Sequence, residues 1–362
     1  MPSPPIPDPR IARLNNQTPY PVMNCQKMGR GRQFYDVIVA KGAFRLRPGQ
    51  LTPLQHMPEP IIADQHEPVG HDVLALCKAG DLVMHKPGTD VLVSGSARQP
   101  VAQSSWLASL RLYPRGRDTP VINHELRLYG TRHWYFNKED QCWRITPAET
   151  VDYVPLGHAH AFGGTYQDNQ GNRHMALNPA GRGVAVNMQE NACTSAHQIE
   201  LAGYPLDQLA PGIPVLDYPL CSMAAVARTW PERIALAGTY DERWWQGQAQ
   251  AALKDFPDDF NERFYQCANP RLVAQPCLRG DELLELTGLL RNAPRLRCYL
   301  PGIRLVARFN AQTPTSMPRV SFALDTLHID LDAQILFVTW RLRIPSHGPR
   351  LWVVIEQKSL KP

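Results

Sequence analysis

Proline is the residue that most restricts how this chain can fold, because 34 prolines are spread along its 362 residues. Proline has no backbone N–H donor and clashes with the preceding turn of an α-helix, so it belongs in loops, first turns and strand edges. Prolines at this density leave room for short strands but for few long helices. The hydrophobic fraction of 43% and the charged fraction of 20% are typical of a chain with a core. The sequence therefore predicts a folded, mainly β protein.

Short apolar or alternating runs between turn residues indicate where the strands lie. The clearest runs are 35–46, which is followed by a Pro48-Gly49 turn, and 334–343 near the C-terminus. Other strands are predicted at 90–94, 105–113, 124–129, 133–136, 321–324, 326–330 and 351–357. Short helices are predicted at 220–227, 242–252 and 257–267.

The distribution of these elements predicts four segments. They are a Pro-rich tail (1–20), a sandwich-like β-rich N-terminal part (21–154), a loop-rich middle (155–219) and a second β-rich part with short helices (220–362). The middle is rich in Gly, Pro and Asn and contains few periodic stretches. Long loops of this kind usually bind a partner or cover the edge of a sheet.

Charge and composition limit the partners and the compartment. The net charge is +5, and the basic residues are dispersed without a nucleic-acid-binding motif. The N-terminus has no basic region followed by an apolar stretch, and the apolar runs are too short to span a bilayer. Eight cysteines without a CxxC pair are interpreted as small buried hydrophobes in a reducing compartment. We therefore expect a cytoplasmic protein that neither binds nucleic acid nor inserts into a membrane.

His158 and His160 are the strongest candidates for catalytic residues. Alternate residues of a strand point to the same side, so a strand at this position would let the two imidazoles share a metal ion. Third ligands could come from four other histidines, namely His66, His71, His174 and His197. Two histidines form an incomplete site, however, and exposed or hydrogen-bonded histidines are the favoured interpretation. We expect no metal.

The sequence contains no other catalytic signature. It has no Gly-x-Ser-x-Gly elbow, no P-loop and no dinucleotide fingerprint, and no local pattern marks a cysteine as activated. The carboxylates between 255 and 262 suit the start of a helix at least as well as acid–base catalysis. We therefore expect a protein that is not an enzyme and needs no cofactor.

Residues 230–265, called the aromatic segment below, are unusually dense in aromatic side chains. The run 230–245 holds three tryptophans and one tyrosine among several arginines and glutamates, and Phe260, Phe264 and Tyr265 follow it. Trp, Tyr and Arg contribute most to protein interfaces, because they bury a large area and keep a polar end. The segment is either a partner-binding surface or an anchor on the protein's own core, and both interpretations stay open.

Blocks along almost the whole chain resemble a type VI secretion adaptor family, which is built on a domain of unknown function and encoded beside VgrG spike and PAAR-tip effector genes. The blocks include Val39-Ala-Lys-Gly-Ala-Phe, Lys86-Pro-Gly-Thr-Asp-Val, Leu128-Tyr-Gly-Thr-Arg-His-Trp, Ala161-Phe-Gly-Gly-Thr, Asn178-Pro-Ala-Gly-Arg-Gly, Trp230-Pro-Glu-Arg, Ala237-Gly-Thr-Tyr-Asp-Glu-Arg-Trp, Pro257-Asp-Asp-Phe-Asn-Glu-Arg-Phe-Tyr, Leu278-Arg-Gly-Asp-Glu and Val338-Thr-Trp-Arg. Their number, order and spacing carry the resemblance. The chain departs from the family pattern at 157–160, 196–200 and 221–225, all in or beside the loop-rich middle.

The resemblance implies a non-catalytic helper that binds one cognate secreted effector, PAAR-containing or spike-associated, and assists its loading onto the spike. VgrG is a further implied partner. The candidate partner-binding residues are Phe162, Gly163, Gly164, Asn178, Trp230, Arg233, Tyr240, Asp241, Trp244, Trp245, Phe260, Arg263 and Phe264. The alternatives are a metal-dependent enzyme that uses His158 and His160, a structural component of the spike, and a carbohydrate-binding β protein.

Overall fold

The computed structural model describes residues 14–69, 73–168, 170–184, 194–210, 213–309, 319–346 and 353–360. Over these residues the protein is mainly β, as the sequence predicts. In chain order the strands are β1 (Leu14–Asn16), β2 (Val22–Met28), β3 (Phe34–Arg45), β4 (Gly49–Gln50), β5 (Thr52–Pro53), β6 (Gln65–Pro68), β7 (Leu74–Lys78), β8 (Thr89–Ser94), β9 (Ser96–Gln103), β10 (Ser105–Tyr113), β11 (Ile122–Tyr129), β12 (His133–Asn137), β13 (Cys142–Ile145), β14 (Val151–Pro155), β15 (Phe162–Gly163), β16 (Thr165–Asp168), β17 (Gly171–His174), β18 (Arg182–Gly183), β19 (Thr194–Ser195), β20 (Ile199–Leu201), β21 (Gln208–Leu209), β22 (Val273–Ala274), β23 (Leu283–Leu290), β24 (Ala293–Tyr299), β25 (Ile303–Phe309), β26 (Arg319–Ser321), β27 (Ala323–Asp330), β28 (Ile335–Pro345) and β29 (Val353–Ser359).

The helical elements are short. They are α1 (Pro231–Ile234), α2 (Glu242–Gly247) and 3-10 turns at Arg30–Arg32, His158–His160, Ala235–Ala237, Glu262–Tyr265 and Pro270–Leu272. The helices predicted at 242–252 and 257–267 are thus shorter than expected. The helix predicted at 220–227 is wrong, because this stretch runs in an irregular conformation. Two of its carbonyls, those of Leu220 and Ser222, accept hydrogen bonds from the Asn269 side chain instead of from a helical turn.

Two large sheets organise the protein. The first sheet has the strand order β2-β3-β28-β27-β8-β22, with β5 also paired to β3, and the second has the order β20-β11-β10-β23-β24-β4. Smaller sheets include β1-β29-β25-β26 and β19-β12-β13-β21. Each large sheet combines strands from both sides of the loop-rich middle. The proposed parts 21–154 and 220–362 therefore fold together rather than as separate units.

The predicted tail does not extend to residue 20. Leu14–Asn16 form a strand that pairs in parallel with β29, and Tyr20 is buried against Trp340, with 5.0 Å between the ring centroids. Residues 1–13, which hold most of the prolines of this segment, lie outside the described residues.

Strand β3 is buried on both of its faces and separates two packed regions. Ile38, Ala40 and Phe44 point into the main core, whereas Val37 and Val39 pack with Met84 in a smaller cluster. A central strand covered on both sides is expected to be apolar almost throughout, and this explains the long run at 35–46. The face with Val37 and Val39 is called the second face of the first sheet below.

A row of buried polar side chains crosses the second face. Lys41 on β3 lies opposite Thr339 on β28, Thr339 opposite Thr326 on β27, and Thr326 opposite Asp90 on β8. All four residues are buried. Burial of polar and charged groups is costly unless each finds a partner. The row therefore needs counterions from outside the sheet.

The segment between β7 and β8 supplies those counterions. The Asp81 carboxylate pairs with Lys41 at 2.6 Å and accepts a hydrogen bond from Thr339 at 3.2 Å. Lys86 pairs with Asp90 at 2.8 Å and donates to the Thr326 hydroxyl at 2.8 Å. Each charge is matched by an opposite one, so the polar row is buried as a neutral network beside the apolar cluster of Val37, Val39 and Met84.

A third buried ion pair completes this region. Arg341 on β28 pairs with Asp325 on β27 and donates to the carbonyls of Asp81 and Val83, the latter at 2.8 Å. The guanidinium thereby joins the sheet to the same connecting segment that carries the counterions. Arg341 and Asp325 are both almost fully buried.

The cysteines only partly follow the sequence interpretation. Cys221, Cys267 and Cys298 are buried, and burial raises the pKa of each thiol to about 12. Cys77 is exposed on β7, so the expectation of a buried residue is wrong there. Cys193 lies outside the described residues.

We predict that Arg341→Met lowers the free energy of unfolding by roughly 3–5 kcal/mol, because it leaves the Asp325 carboxylate buried without a countercharge. Urea denaturation followed by tryptophan fluorescence measures this change. Arg291→Ala, which breaks the half-exposed Arg291–Asp152 pair, serves as the control and costs at most about 1 kcal/mol. The double variant Arg341→Met, Asp325→Leu recovers most of the loss. A single Arg341→Met variant as stable as the control would contradict the prediction.

Candidate functional site

The aromatic segment is fastened to the second face of the first sheet. The backbone N–H of Cys267, two residues beyond the segment, donates to the Asp90 carboxylate at 2.8 Å. Arg343 on β28 pairs with Glu262 at 2.8 Å, and Tyr265 packs on the small cluster around Met84. The segment is therefore attached to the first sheet through Asp90, through Arg343 and through the cluster around Met84.

Three of the predicted partner-binding residues anchor the segment. Trp230 is 2% exposed, donates from its indole nitrogen to the Leu74 carbonyl at 3.0 Å and contacts the His158 ring edge-on. Arg233 is buried and donates to the carbonyls of Phe264 and Val226. Phe260 is buried against Phe256, with 4.4 Å between the ring centroids. These side chains hold the segment in place, and Phe264 is half-buried beside them.

The remaining aromatic residues of the segment form an exposed cluster at α2. Asp241 caps this helix by accepting a hydrogen bond from the Trp244 N–H at 2.8 Å. The Trp244 ring lies between those of Tyr240 and Trp245, at 4.7 Å from each centroid. Tyr240 is 47% exposed and Trp245 is 55% exposed. Capping and stacking therefore present two large aromatic side chains to solvent in a fixed arrangement.

A depression of about 300 Å³ beside this cluster has an acidic rim. Trp244 and Phe256 line it together with Asp241, Asp258 and Asp259, against one arginine, Arg243. Hydrogen bonds from the N–H and hydroxyl of Thr239 lower the pKa of the Asp259 carboxyl. The rim carries three carboxylates against one guanidinium, so it favours an apolar or cationic partner.

A second, more apolar groove of about 210 Å³ is lined in part by residues of α1. It is lined by Leu177, Leu220, Val226, Leu236, Ala268, Pro270 and Val273, with Glu232, Arg233, Arg263 and Gln266 as its polar residues. Arg263 and Glu232 are exposed, so opposite charges flank an apolar floor. Grooves with apolar walls and a few polar groups are typical binding sites.

Gln266 gives this groove an unused hydrogen-bond donor. Its side-chain Nε2 is buried and has no hydrogen-bond partner among the described residues. A buried donor without an acceptor costs roughly 1–3 kcal/mol, so such groups are rare in folded proteins. A single glutamine carries no sequence signal of this kind, and for this reason the sequence did not identify Gln266.

The turn at 30–32 also supports the aromatic segment and was not predicted. The Gly31 N–H donates to the Asp255 carboxylate at 3.0 Å, and Arg32 donates to the Leu253 carbonyl at 3.0 Å. Arg30 donates to the Asp258 carbonyl at 2.7 Å. Gly31 adopts a φ of 67°, which explains the glycine between the two arginines. These contacts fix the loop that follows α2.

The residues predicted in the loop-rich middle are buried. The Asn178 amide donates to the carbonyls of His158 and Phe162, at 3.1 and 3.0 Å. A Cβ on Gly163 would lie 2.2 Å from the Asn178 carbonyl oxygen, and Gly164 has a φ of 107°. Glycine is required at both positions, by close approach and by the backbone conformation respectively. Phe162, Gly163, Gly164 and Asn178 therefore stabilise the middle from inside rather than at its surface.

The two candidate metal-binding histidines have separate environments. They lie in a 3-10 turn, so the prediction that they share one side of a strand is wrong. His158 is buried and its Nε2 bonds to the Ala225 carbonyl at 3.0 Å, whereas Nδ1 of His160 bonds to the Gln198 side chain at 2.8 Å. Among the described residues no three His, Cys, Asp or Glu side chains are grouped to hold a metal ion. His71 lies outside these residues.

The comparison with protein families matches residues 30–341, which include the aromatic segment and both depressions. The chain belongs to the DUF2169 family of uncharacterized proteins conserved in bacteria. No curated protein and no solved structure matches the chain. Within the described parts of this DUF2169 protein, no helix combines the length and the apolar character needed to cross a membrane.

Burial of His158 makes the stability of the folded protein depend on pH. Burial lowers its pKa from 6.5 to about 4, because the folded protein favours the neutral imidazole. The unfolded chain therefore binds an extra proton below pH 6.5, and folded-state stability is lost as the pH falls from 6.5 to 4. The full loss is roughly 3 kcal/mol. Burial lowers the pKa of His328 to about 4 as well, with an effect in the same direction.

We predict that His158→Gln, which keeps a donor near the Ala225 carbonyl but cannot titrate, flattens this dependence. Urea unfolding at pH 7 and at about pH 4.5 gives the difference in free energy for each protein. The variant should lose roughly 2 kcal/mol less than the wild type between the two values. An equal loss in both proteins would show that His158 does not control acid stability.

Proposed function

We propose that this protein is a non-catalytic adaptor, or chaperone, that binds a cognate type VI secretion effector in the bacterial cytoplasm and assists its loading onto the VgrG and PAAR spike. The family match supports a bacterial protein, and the sequence blocks support the link to type VI secretion. The observation that carries the binding function is the apolar groove at α1 with the unused Gln266 donor in its lining.

The groove suits a short apolar stretch of polypeptide. Its volume of about 210 Å³ accommodates a few side-chain groups rather than a folded surface. The Gln266 amide can donate to a main-chain carbonyl of the bound chain, which then loses no hydrogen bond on leaving water. Glu232 and Arg263 at the rim can pair with flanking charges. The departure from the family pattern at 221–225 lies between Leu220 and Val226, two of the lining residues, as expected for a surface adapted to one cargo.

The exposed cluster at α2 adds a second contact on the same segment. Tyr240 and Trp245 bury large area on binding and lose little side-chain entropy, because Trp244 and the Asp241 cap already fix their positions. An effector's apolar segment would aggregate if it stayed exposed before loading. The adaptor covers such a segment and releases it to the spike, which requires a specific contact of moderate affinity.

Trp245→Ala should weaken effector binding while leaving the adaptor folded. Trp245 is more than half exposed, so its loss should change the free energy of unfolding by no more than about 0.5 kcal/mol. Co-expression with the product of the adjacent effector gene, pull-down and titration calorimetry should show an affinity loss of about tenfold or more. Trp244→Ala is a poorer test, since the half-buried Trp244 ring supports its neighbours.

Tyr204→Ala provides the matched control, because Tyr204 is an equally exposed aromatic residue outside the aromatic segment. It should bind the effector as the wild type does. If both variants bind like the wild type, the cluster at α2 is not the contact surface. If the wild-type protein binds no neighbouring effector, the adaptor function is wrong.

Gln266→Leu should have opposite effects on the stability of the free protein and on its affinity for the effector. The substitution removes a buried donor that has no partner, so the free protein should become more stable by about 1 kcal/mol, and effector affinity should fall. Gln99→Leu is the control, because the Gln99 amide does have a partner, the Gly288 carbonyl at 3.0 Å. It should lose about 1 kcal/mol of stability and keep the effector affinity. An unchanged effector affinity in Gln266→Leu would exclude the groove as the binding site.

A further inference from the structure

The second sheet exposes one face whose charged residues are mostly arginines. The side chains on this face alternate along β10, β11, β23 and β24 with the buried ones of the main core. They form cross-strand rows: Asn123, Arg111, Glu285 and Arg297 in one, and Glu125, Ser109, Thr287 and Arg295 in the next. Leu107, Arg127 and Glu200 on β20 form a third row. The face therefore belongs to a continuous sheet and not to a loop.

Positive charge exceeds negative charge on this face. Arg111, Arg127, Arg295 and Arg297 lie on the strands against Glu125, Glu285 and Glu200, of which Glu200 is buried and paired with Arg132. Arg115 stacks over the Tyr299 ring at 5.5 Å. Glu285 is 1% exposed, because three guanidiniums cover its carboxylate. These contacts lower the pKa of the Glu285 carboxyl. The buried carboxylate thus fixes the positions of the arginines above it.

The arginines keep donors that this protein does not use. Arg297 reaches Glu285 through its Nε at 3.3 Å, and more than half of its side chain is exposed. Within the described ranges, the Arg127 side chain forms no ion pair and no hydrogen bond. Guanidinium groups bind carboxylates and phosphates through paired, parallel hydrogen bonds. The face is therefore preorganised to receive anionic groups.

Two features favour protein carboxylates over the phosphates of nucleic acid. Leu107 is 53% exposed in the same row as Arg127, and Tyr299 is 46% exposed beside the row of Arg297, so the face also offers apolar area. Glu125 remains partly exposed and would repel the evenly spaced phosphates of a nucleic-acid backbone. A protein can place its carboxylates and apolar side chains individually to match this arrangement.

We propose that this arginine face is a docking surface for an acidic region of a protein partner, distinct from the groove and the cluster of the aromatic segment. Carboxylates of the partner pair with Arg127, Arg295 and Arg297, and an apolar side chain packs on Leu107. The inference does not depend on the adaptor function, because it rests only on the register and charges of the second sheet.

The test measures binding of a fluorescein-labelled peptide of repeated Glu-Glu-Leu units, about 20 residues long, by fluorescence anisotropy at about 50 mM salt. The full-length wild-type protein should bind the peptide, and higher salt should weaken binding. Arg127→Gln combined with Arg297→Gln should lower the affinity about tenfold. Arg111 and Arg295 still neutralise Glu285 in this variant, so it is expected to fold.

Arg304→Gln combined with Arg319→Gln is the matched control, because it removes two exposed arginines from β25 and β26 in another sheet. It should keep the wild-type affinity. The charge-preserving pair Arg127→Lys, Arg297→Lys should lose about threefold, since lysine cannot form the paired hydrogen bonds. Three results would overturn the proposal: no peptide binding by the wild type, an equal loss in the control, or tighter binding of a labelled single-stranded DNA of equal charge.

Discussion

The buried polar row on the first sheet is the constraint on which the rest of the structure depends. Lys41, Thr339, Thr326 and Asp90 lie side by side on four strands, and the charges among them would destabilise the fold if they were unpaired. Asp81 and Lys86 from the connecting segment neutralise them. Covering the second face therefore requires that strands from both ends of the chain pair in one register.

The proposed binding site depends on this arrangement. Asp90, which ends the polar row, also accepts the hydrogen bond that fastens the end of the aromatic segment. Trp230, Arg233 and Phe260 bury the inner side of the segment, and this rigid base leaves Tyr240 and Trp245 exposed at fixed positions. The unused Gln266 donor lowers the stability of the free protein, and in the proposed function a hydrogen bond to the ligand removes this cost. The proposed function therefore predicts that Gln266 favours binding at the expense of stability, whereas Trp245 contributes to binding alone.

The two proposed surfaces differ in chemistry. The groove has an apolar floor flanked by both signs of charge, and the depression beside the cluster has an acidic rim. The exposed face of the second sheet instead combines arginines with Leu107 and Tyr299. An adaptor that passes a cargo to a larger assembly needs two contacts with different selectivity, one for each partner. The acidic rim beside the cluster and the arginine face would favour partners of different charge.

The sequence by itself determined the class of fold, since closely spaced prolines exclude long helices and alternation marks strands such as 35–46 and 105–113. It also located the aromatic segment, whose composition is a local property. It did not separate Trp230 from Trp245, which lie in one run yet have opposite exposure, and it predicted a helix at 220–227 whose carbonyls bond elsewhere. It missed the pairing of Lys41 with Asp81 and the donor of Gln266. Burial, ion pairing and unsatisfied hydrogen bonds depend on residues far apart in the chain, so only the tertiary structure decided them.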